Sequence, residues 1–454
     1  MPRSRLTALD TSFLEVESPT AHMHVGWAAL FAPPADRPKP VFEELREHIG
    51  ARLGRAPRYR QKLAQVPLGL NDPVWVDDPD FDVARHVRRA QSRDFQAAVD
   101  EVMSEPLDRR SPLWELWLAD ELADGAIGAI GKVHHCMVDG VAAVELSSLM
   151  LDPTPDPPLE LCQDWVPTRP PAALELVAEG VAARMAQMAS LARMVPGVVS
   201  RPTSAIATAV RALRAARSSL GPARPAALNA PISPRRHVAR ARRTLDDLRA
   251  IKHEHGGTVN DVVLAAAAGG LRRFMIENGE RPEPLKAMVP VSVRDAGAEA
   301  DLGNRISFVF VSLPCDEPDP LIRLDRVKAA MGRRKAGGEP EGADVLLDAL
   351  EYAPRAVQHV LAHAAASART FNVTVSNIPG PSMPLYMCGC RLEEAYPVVP
   401  LADNHGVSIG MTTVAGEACF GVYADAETLP DADALAEAVV ESVDELARVP
   451  AGAS

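Results

Sequence analysis

The chain has 454 residues, room for two to three domains of ordinary size. A hydrophobic fraction of 47% and a charged fraction of 24% are those of a globular protein with a sizeable core. The formal net charge of −12 argues against nucleic acid as the main partner.

The chain opens Met1-Pro2-Arg3-Ser4-Arg5-Leu6 without an apolar stretch, so no signal peptide is expected. No run of about 18 apolar residues follows, so no transmembrane helix is expected either. Residues 126–135 read as a buried strand and residues 141–150 as a helix, which puts Asp139 and Gly140 at the helix start. Pro153-Thr154-Pro155-Asp156-Pro157-Pro158 cannot continue a helix and closes a first domain, residues 1–158. Residues 159–234 are rich in Pro, Ala and Arg, with helical patterns over 172–195 and 204–218, and read as a crossover. From residue 180 to residue 244 there is no Asp or Glu, and twelve Arg lie there, from Arg184 to Arg243. That belt is either a solvated helix face with a linker or a surface for anionic lipid.

Residues 235–454 form the last domain. Helices are expected over 245–255 and 260–276, the second started by a capping box of Thr258 and Asp261. Residues 288–293, 305–313 and 372–375 read as strands. Residues 406–414 and 418–423 form a hairpin pattern around Ala415-Gly416-Glu417. Residues 431–447 close the chain as an amphipathic helix. Strands alternate with helices in both outer parts, so the fold class is α/β or α+β. Six scattered cysteines without a CxxC spacing point to a reduced, cytoplasmic compartment.

The chemistry concentrates at His134-His135-Cys136-Met137-Val138-Asp139-Gly140. In an extended chain adjacent side chains point to opposite faces, so one of the two histidines can face a given cavity. Histidine titrates near neutral pH and can serve as a general base. Asp139 follows four residues later and can fix the local geometry. Three other readings stay open at this point: buried structural histidines, an Asp139 that only caps the helix, and a metal site lacking its third ligand at helical spacing. Ser376 has no Gly-x-Ser-x-Gly context, which argues against a serine hydrolase. No Gly-x-x-x-x-Gly-Lys-Ser/Thr phosphate loop occurs.

His-His-x-x-x-Asp-Gly resembles the signature of the CoA-dependent acyltransferase superfamily, which includes chloramphenicol acetyltransferase and peptide-synthetase condensation domains. The rest of the chain is similar to the bacterial wax ester synthase/diacylglycerol acyltransferase family, motif by motif and in order. The matching segments are Leu9-Asp10-Thr11-Ser12-Phe13-Leu14 with His22-Met23-His24-Val25-Gly26, and Pro112-Leu113-Trp114-Glu115. They continue through Leu228-Asn229-Ala230-Pro231-Ile232, Gly257-Thr258-Val259-Asn260-Asp261, Val289-Pro290-Val291-Ser292-Val293-Arg294 and Ser376-Asn377-Ile378-Pro379-Gly380-Pro381. Ala230 stands where the family pattern leads one to expect glycine.

The resemblance implies two chloramphenicol-acetyltransferase-like domains with the active site in a channel between them. It implies His135 as general base, Asp139 as organising carboxylate, and His134 and Gly140 as supports. It makes Asn260 a candidate substrate contact, with membership of a helix start as the alternative. Arg294 is the candidate charge partner of Asp139, against a solvated strand-end charge. Asp261 reads as structural, and Trp114 as core packing, with lining of an acyl tunnel as its alternative. His22 and His24 read as core residues on one strand face. The implied reaction joins long-chain acyl-CoA to diacylglycerol, giving triacylglycerol, with a long-chain alcohol as secondary acceptor. Acyl-CoA is a co-substrate, and no metal or other cofactor is implied. Two rivals remain: an acyltransferase of the superfamily that uses a carrier-protein donor or another acceptor, and a non-catalytic protein that binds lipid droplets.

Overall fold

A computed structural model describes residues 4–137, 149–158, 160, 165–183, 185–186, 222–292, 306–336 and 355–450. The strands are β1 (His24–Ala32), β2 (Gln61–Ala64), β3 (Val74–Asp77), β4 (Val87–Arg89), β5 (Trp114–Ala119), β6 (Ile127–His134) and β7 (Arg236–Thr244), followed by β8 (Leu285–Ser292), β9 (Ile306–Leu313), β10 (Val373–Ile378), β11 (Tyr386–Met387), β12 (Cys390–Val398), β13 (Val407–Val414) and β14 (Glu417–Asp425). The helices used below are α1 (Ala8–Val16), α2 (Phe95–Ser104), α3 (Leu245–His255), α4 (Val259–Glu277), α5 (Pro320–Ala336), α6 (Arg355–Ala365) and α7 (Ala432–Ala447).

Two six-stranded mixed sheets carry the molecule, ordered β11-β12-β1-β6-β5-β4 and β7-β14-β13-β10-β8-β9. The fold is thus mixed α/β, the class expected from the alternation of strands and helices. The second sheet packs α4 and α7 against one face, around a core that includes Val262, Leu264, Leu271, Val289, Ile409, Phe420, Leu435 and Val439. Side chains of that size each contribute about 1.5–3 kcal/mol when fully withdrawn from water. The first sheet has a core on each face, and one of them joins the two halves: Phe95 and Val99 of α2 meet Ile130, Val238, Val398 and Tyr423 there.

Local signals set many of these boundaries. At the start of α4 the Thr258 hydroxyl accepts from the Asp261 N–H, and the Asp261 carboxylate accepts from the Thr258 N–H at 2.8 Å. Two donors at the helix start are thereby satisfied. The hairpin between β13 and β14 turns through Ala415 (φ 51°) and Gly416 (φ 86°), the left-handed pair that a two-residue hairpin turn requires. Helices α3 and α7 match their expected spans to within a residue. Residues 173–183 and 185–186 are helical, whereas the rest of the two crossover helices lies outside the described residues, as does most of the expected helix over 141–150.

Two expectations need correction. β11 and β12 come from the C-terminal third of the chain yet extend the first sheet, β12 pairing antiparallel with β1. Pro397 of β12 lies over Gly410 and Gly421, which face one another across β13 and β14. A linear division at residue 234 therefore does not describe residues 386–398. His22 and His24 do not share a strand face: Met23 takes a left-handed φ of 47°, and β1 begins only at His24. Both rings are nonetheless buried.

The basic belt also looks different where it is described. Arg236 and Asp425 form a buried ion pair at 3.3 Å. Arg224, Arg242 and Arg243 pair with Glu283, Glu394 and Asp444, and Arg240 lies over the rings of Phe95 and Tyr396. These arginines stitch the chain to itself. Among the described residues no helix is long and apolar enough to cross a membrane.

Candidate active site

β6 delivers the histidine pair. All eight of its residues are buried, as befits a strand covered on both faces. It runs between β1 and β5 and places His134 opposite His24. The strand ends there. The His135 N–H donates to Met23 O at 2.9 Å and the Cys136 N–H donates to His134 Nδ1 at 3.1 Å, which bends His135–Met137 into a 3₁₀ turn. The two rings part company at this bend rather than by strand alternation.

His134 is fully buried. Its Nδ1 accepts a hydrogen bond, so the neutral ring carries its proton on Nε2. That nitrogen faces the Glu17 carboxylate at 3.6 Å. Glu17 in turn forms an ion pair with Arg109. His24 lies beside His134, with its Nε2 3.4 Å from the Tyr423 hydroxyl of the second sheet. Burial first, then the Lys132 charge, holds the His24 pKa well below its ordinary value. Lys132 itself is wholly buried. It donates to the carbonyls of Val102 and Glu105, both at 2.9 Å, and pairs with Glu115 at 3.2 Å.

His135 sits at the mouth of the turn, partly buried. The Phe13 ring of α1 stacks on it with centroids 3.7 Å apart and planes 15° from parallel. Burial lowers its pKa from 6.5 to about 4, against the opposing pull of its own backbone carbonyl. The imidazole is therefore neutral throughout the neutral pH range and free to accept a proton.

The other expected site residues lie on other elements or outside the described residues. Asn260 lies on the first turn of α4, half-buried, and among the described residues its side chain has no hydrogen-bond partner. Asp261 caps that helix. Trp114 is fully buried at the start of β5, donates from Nε1 to Tyr59 O at 2.8 Å and stacks on His86. Asp139, Gly140 and Arg294 lie outside the described residues. Sequence reasoning missed Glu17 and Arg109, which no local pattern connects with residue 134. Phe13 carried a signal only as part of the opening Leu-Asp-Thr-Ser-Phe-Leu segment.

Comparison with known proteins shows the family and the fold. The model of the wax ester synthase/diacylglycerol acyltransferase catalytic domain matches residues 6–263, and that of the family's C-terminal domain matches residues 302–447. A probable diacylglycerol O-acyltransferase of Mycobacterium tuberculosis, tgs1, is 32% identical over 458 residues, covering 98% of this chain and 96% of its own. A second from the same organism, tgs2, is 33% identical over 436 residues, covering 93% and 94%. Among solved structures, the wax ester synthase/diacylglycerol acyltransferase of Marinobacter aquaeolei VT8 superposes with a TM-score of 0.70 at 27% identity, covering 98% of both chains. The starter condensation domain of rhizomide synthetase, at 15% identity and a TM-score of 0.58, shares the fold. The chain is an acyltransferase and belongs to the wax ester synthase/diacylglycerol acyltransferase family.

Proposed function

We propose that this protein transfers a long-chain acyl group from acyl-CoA to diacylglycerol, giving triacylglycerol and CoA, with wax ester formation from a long-chain alcohol as a side activity. The observation that carries the reading is His135, a neutral imidazole on the turn that ends β6, roofed by Phe13. The mycobacterial relatives named as diacylglycerol O-acyltransferases support diacylglycerol as the acceptor.

In this reading the imidazole of His135 removes the proton of the acceptor hydroxyl. The oxygen attacks the thioester carbonyl, a C–O bond forms, and the carbonyl oxygen takes up negative charge. Collapse breaks the C–S bond, and the CoA thiolate receives the proton from His135. The atoms balance with two substrates and no covalent acyl-enzyme, so acyl-CoA is a co-substrate and no further cofactor enters. The demands on the protein are placement of two substrates and stabilisation of the oxyanion. His134 supports the turn through Cys136. Asp139 organises the segment after it with Arg294 as charge partner, Gly140 allows close approach, and Asn260 contacts substrate. Contact with an anionic membrane or droplet surface would bring the lipid substrates to the channel. The six arginines from Arg184 to Arg217, in a stretch of sequence without an acidic side chain, support that contact. It predicts liposome binding that weakens as salt rises.

The test is a purified-protein assay offering diacylglycerol and hexadecanol together with one long-chain acyl-CoA. Triacylglycerol as main product is expected. Wax ester as main product, or no ester with free acyl-CoA, would overturn the reading.

A further inference from the structure

We infer that the Glu17–Arg109 ion pair is the positioning device of the histidine pair, acting on both rings at once; the inference rests on His135 being the base. Glu17 is the C-terminal cap residue of α1, and Arg109 belongs to the turn before β5. Arg109 grips the end of that helix at two points. Its guanidinium pairs with the Glu17 carboxylate, and its Nη2 donates to the Leu14 carbonyl at 2.7 Å, one of the acceptors that the last helical turn leaves open.

Each point leads to one histidine. The Glu17 carboxylate, 11% exposed, faces His134 Nε2 at 3.6 Å, the nitrogen that carries the proton because Nδ1 is occupied by the Cys136 N–H. A negative charge there favours this tautomer, and the tautomer preserves the hydrogen bond that shapes the turn. The Leu14 grip fixes the register of α1, whose Phe13 ring lies on His135 at 3.7 Å. α1 packs directly on the His135–Met137 turn. From its other side it is held by Glu15, which pairs with His359 of α6 at 2.7 Å. Both contacts run from Nη2 of Arg109, whose two N–H groups lie in the fixed guanidinium plane; a lysine ammonium would serve the same two acceptors with less geometric control. Neither Glu17 nor Arg109 touches a reacting atom in this account; both are positioning residues.

The experiment compares Glu17→Gln, Arg109→Gln, the double variant, Arg109→Lys and His135→Ala in the diacylglycerol assay, with circular dichroism as a fold control. The inference expects kcat of both Gln variants to fall by about 10- to 100-fold, the scale set by misplacing a catalytic group by about 1 Å, with KM for both substrates within about threefold. The double variant should lose no more than either single one, because the pair acts as one device. Arg109→Lys should fall between parent and Arg109→Gln, and it carries the decision if a Gln variant does not fold. Parental kcat in Glu17→Gln and Arg109→Lys overturns the inference, as do losses that multiply in the double variant or that appear only in KM. An inactive His135→Ala beside a fully active Glu17→Gln sinks this inference alone. An active His135→Ala sinks the reading beneath it.

Discussion

Phe13 lies flat on His135, with the ring planes 15° from parallel. Through this contact a helix near the N-terminus reaches the turn that ends β6 and helps keep the imidazole out of water. Replacing Phe13 with Ala should hydrate the ring and raise its pKa from about 4 toward 6.5. Because activity requires the neutral base, the acid limb of the kcat/KM profile should move to higher pH in Phe13→Ala. A limb that stays put or moves down would show that Phe13 does not set the protonation of His135.

The crossing of β12 over the second sheet predicts a contrast between two glycines. A Cβ on Gly421 would stand 2.3 Å from the carbonyl oxygen of Pro397, a backbone atom that cannot swing away. Gly421→Ala should therefore cost about 1–3 kcal/mol, the range for overpacking, or more if β12 has to lift from the sheet. Gly332 of α5 has nothing within 4 Å of its Cβ position. Gly332→Ala should be neutral or stabilising by up to about 1 kcal/mol. Thermal melting of the two variants measures the contrast, and equal melting shifts would contradict it.

Much of the fold could be read from local chemistry. The Thr258–Asp261 box, the Ala415-Gly416 turn and the apolar run that becomes β6 each declare themselves within a few residues. The donation of β11 and β12 to the first sheet could not be read this way, because strand pairing over more than 350 residues leaves no periodic trace. The site divides along the same line. The histidine pair was visible as a motif, whereas Glu17 and Arg109 lie 117 and 25 residues from His134 and meet it only in the folded chain. The bend that separates the two rings was also hidden, since it depends on a hydrogen bond from His135 to Met23, the residue just before β1.

His237 predicts a pH dependence of stability. Its ring lies between Asp100 of α2 at 2.7 Å and Asp433 of α7 at 3.1 Å, so it ties the first half of the chain to the last helix. The hydrogen bond that its Nδ1–H donates to the Asp100 carboxylate leads the causes that raise its pKa above 6.5. A raised pKa means that this contribution is complete below about pH 6.5 and is lost as pH rises through the folded-state value. The partly exposed setting, with Asp433 largely in solvent, limits it to about 1 kcal/mol. The melting temperature should fall more steeply between pH 6 and pH 9 in the parent than in His237→Gln. Parallel curves would contradict the clamp.

The central claim is that His135 is the base of the acyl transfer, and replacing it with Ala tests this most directly. Positioned general bases contribute about 10²- to 10⁴-fold, so triacylglycerol formation from acyl-CoA and diacylglycerol should fall by at least about 100-fold with the melting temperature preserved. Triacylglycerol formation at the parental rate in a folded His135→Ala protein would contradict the account.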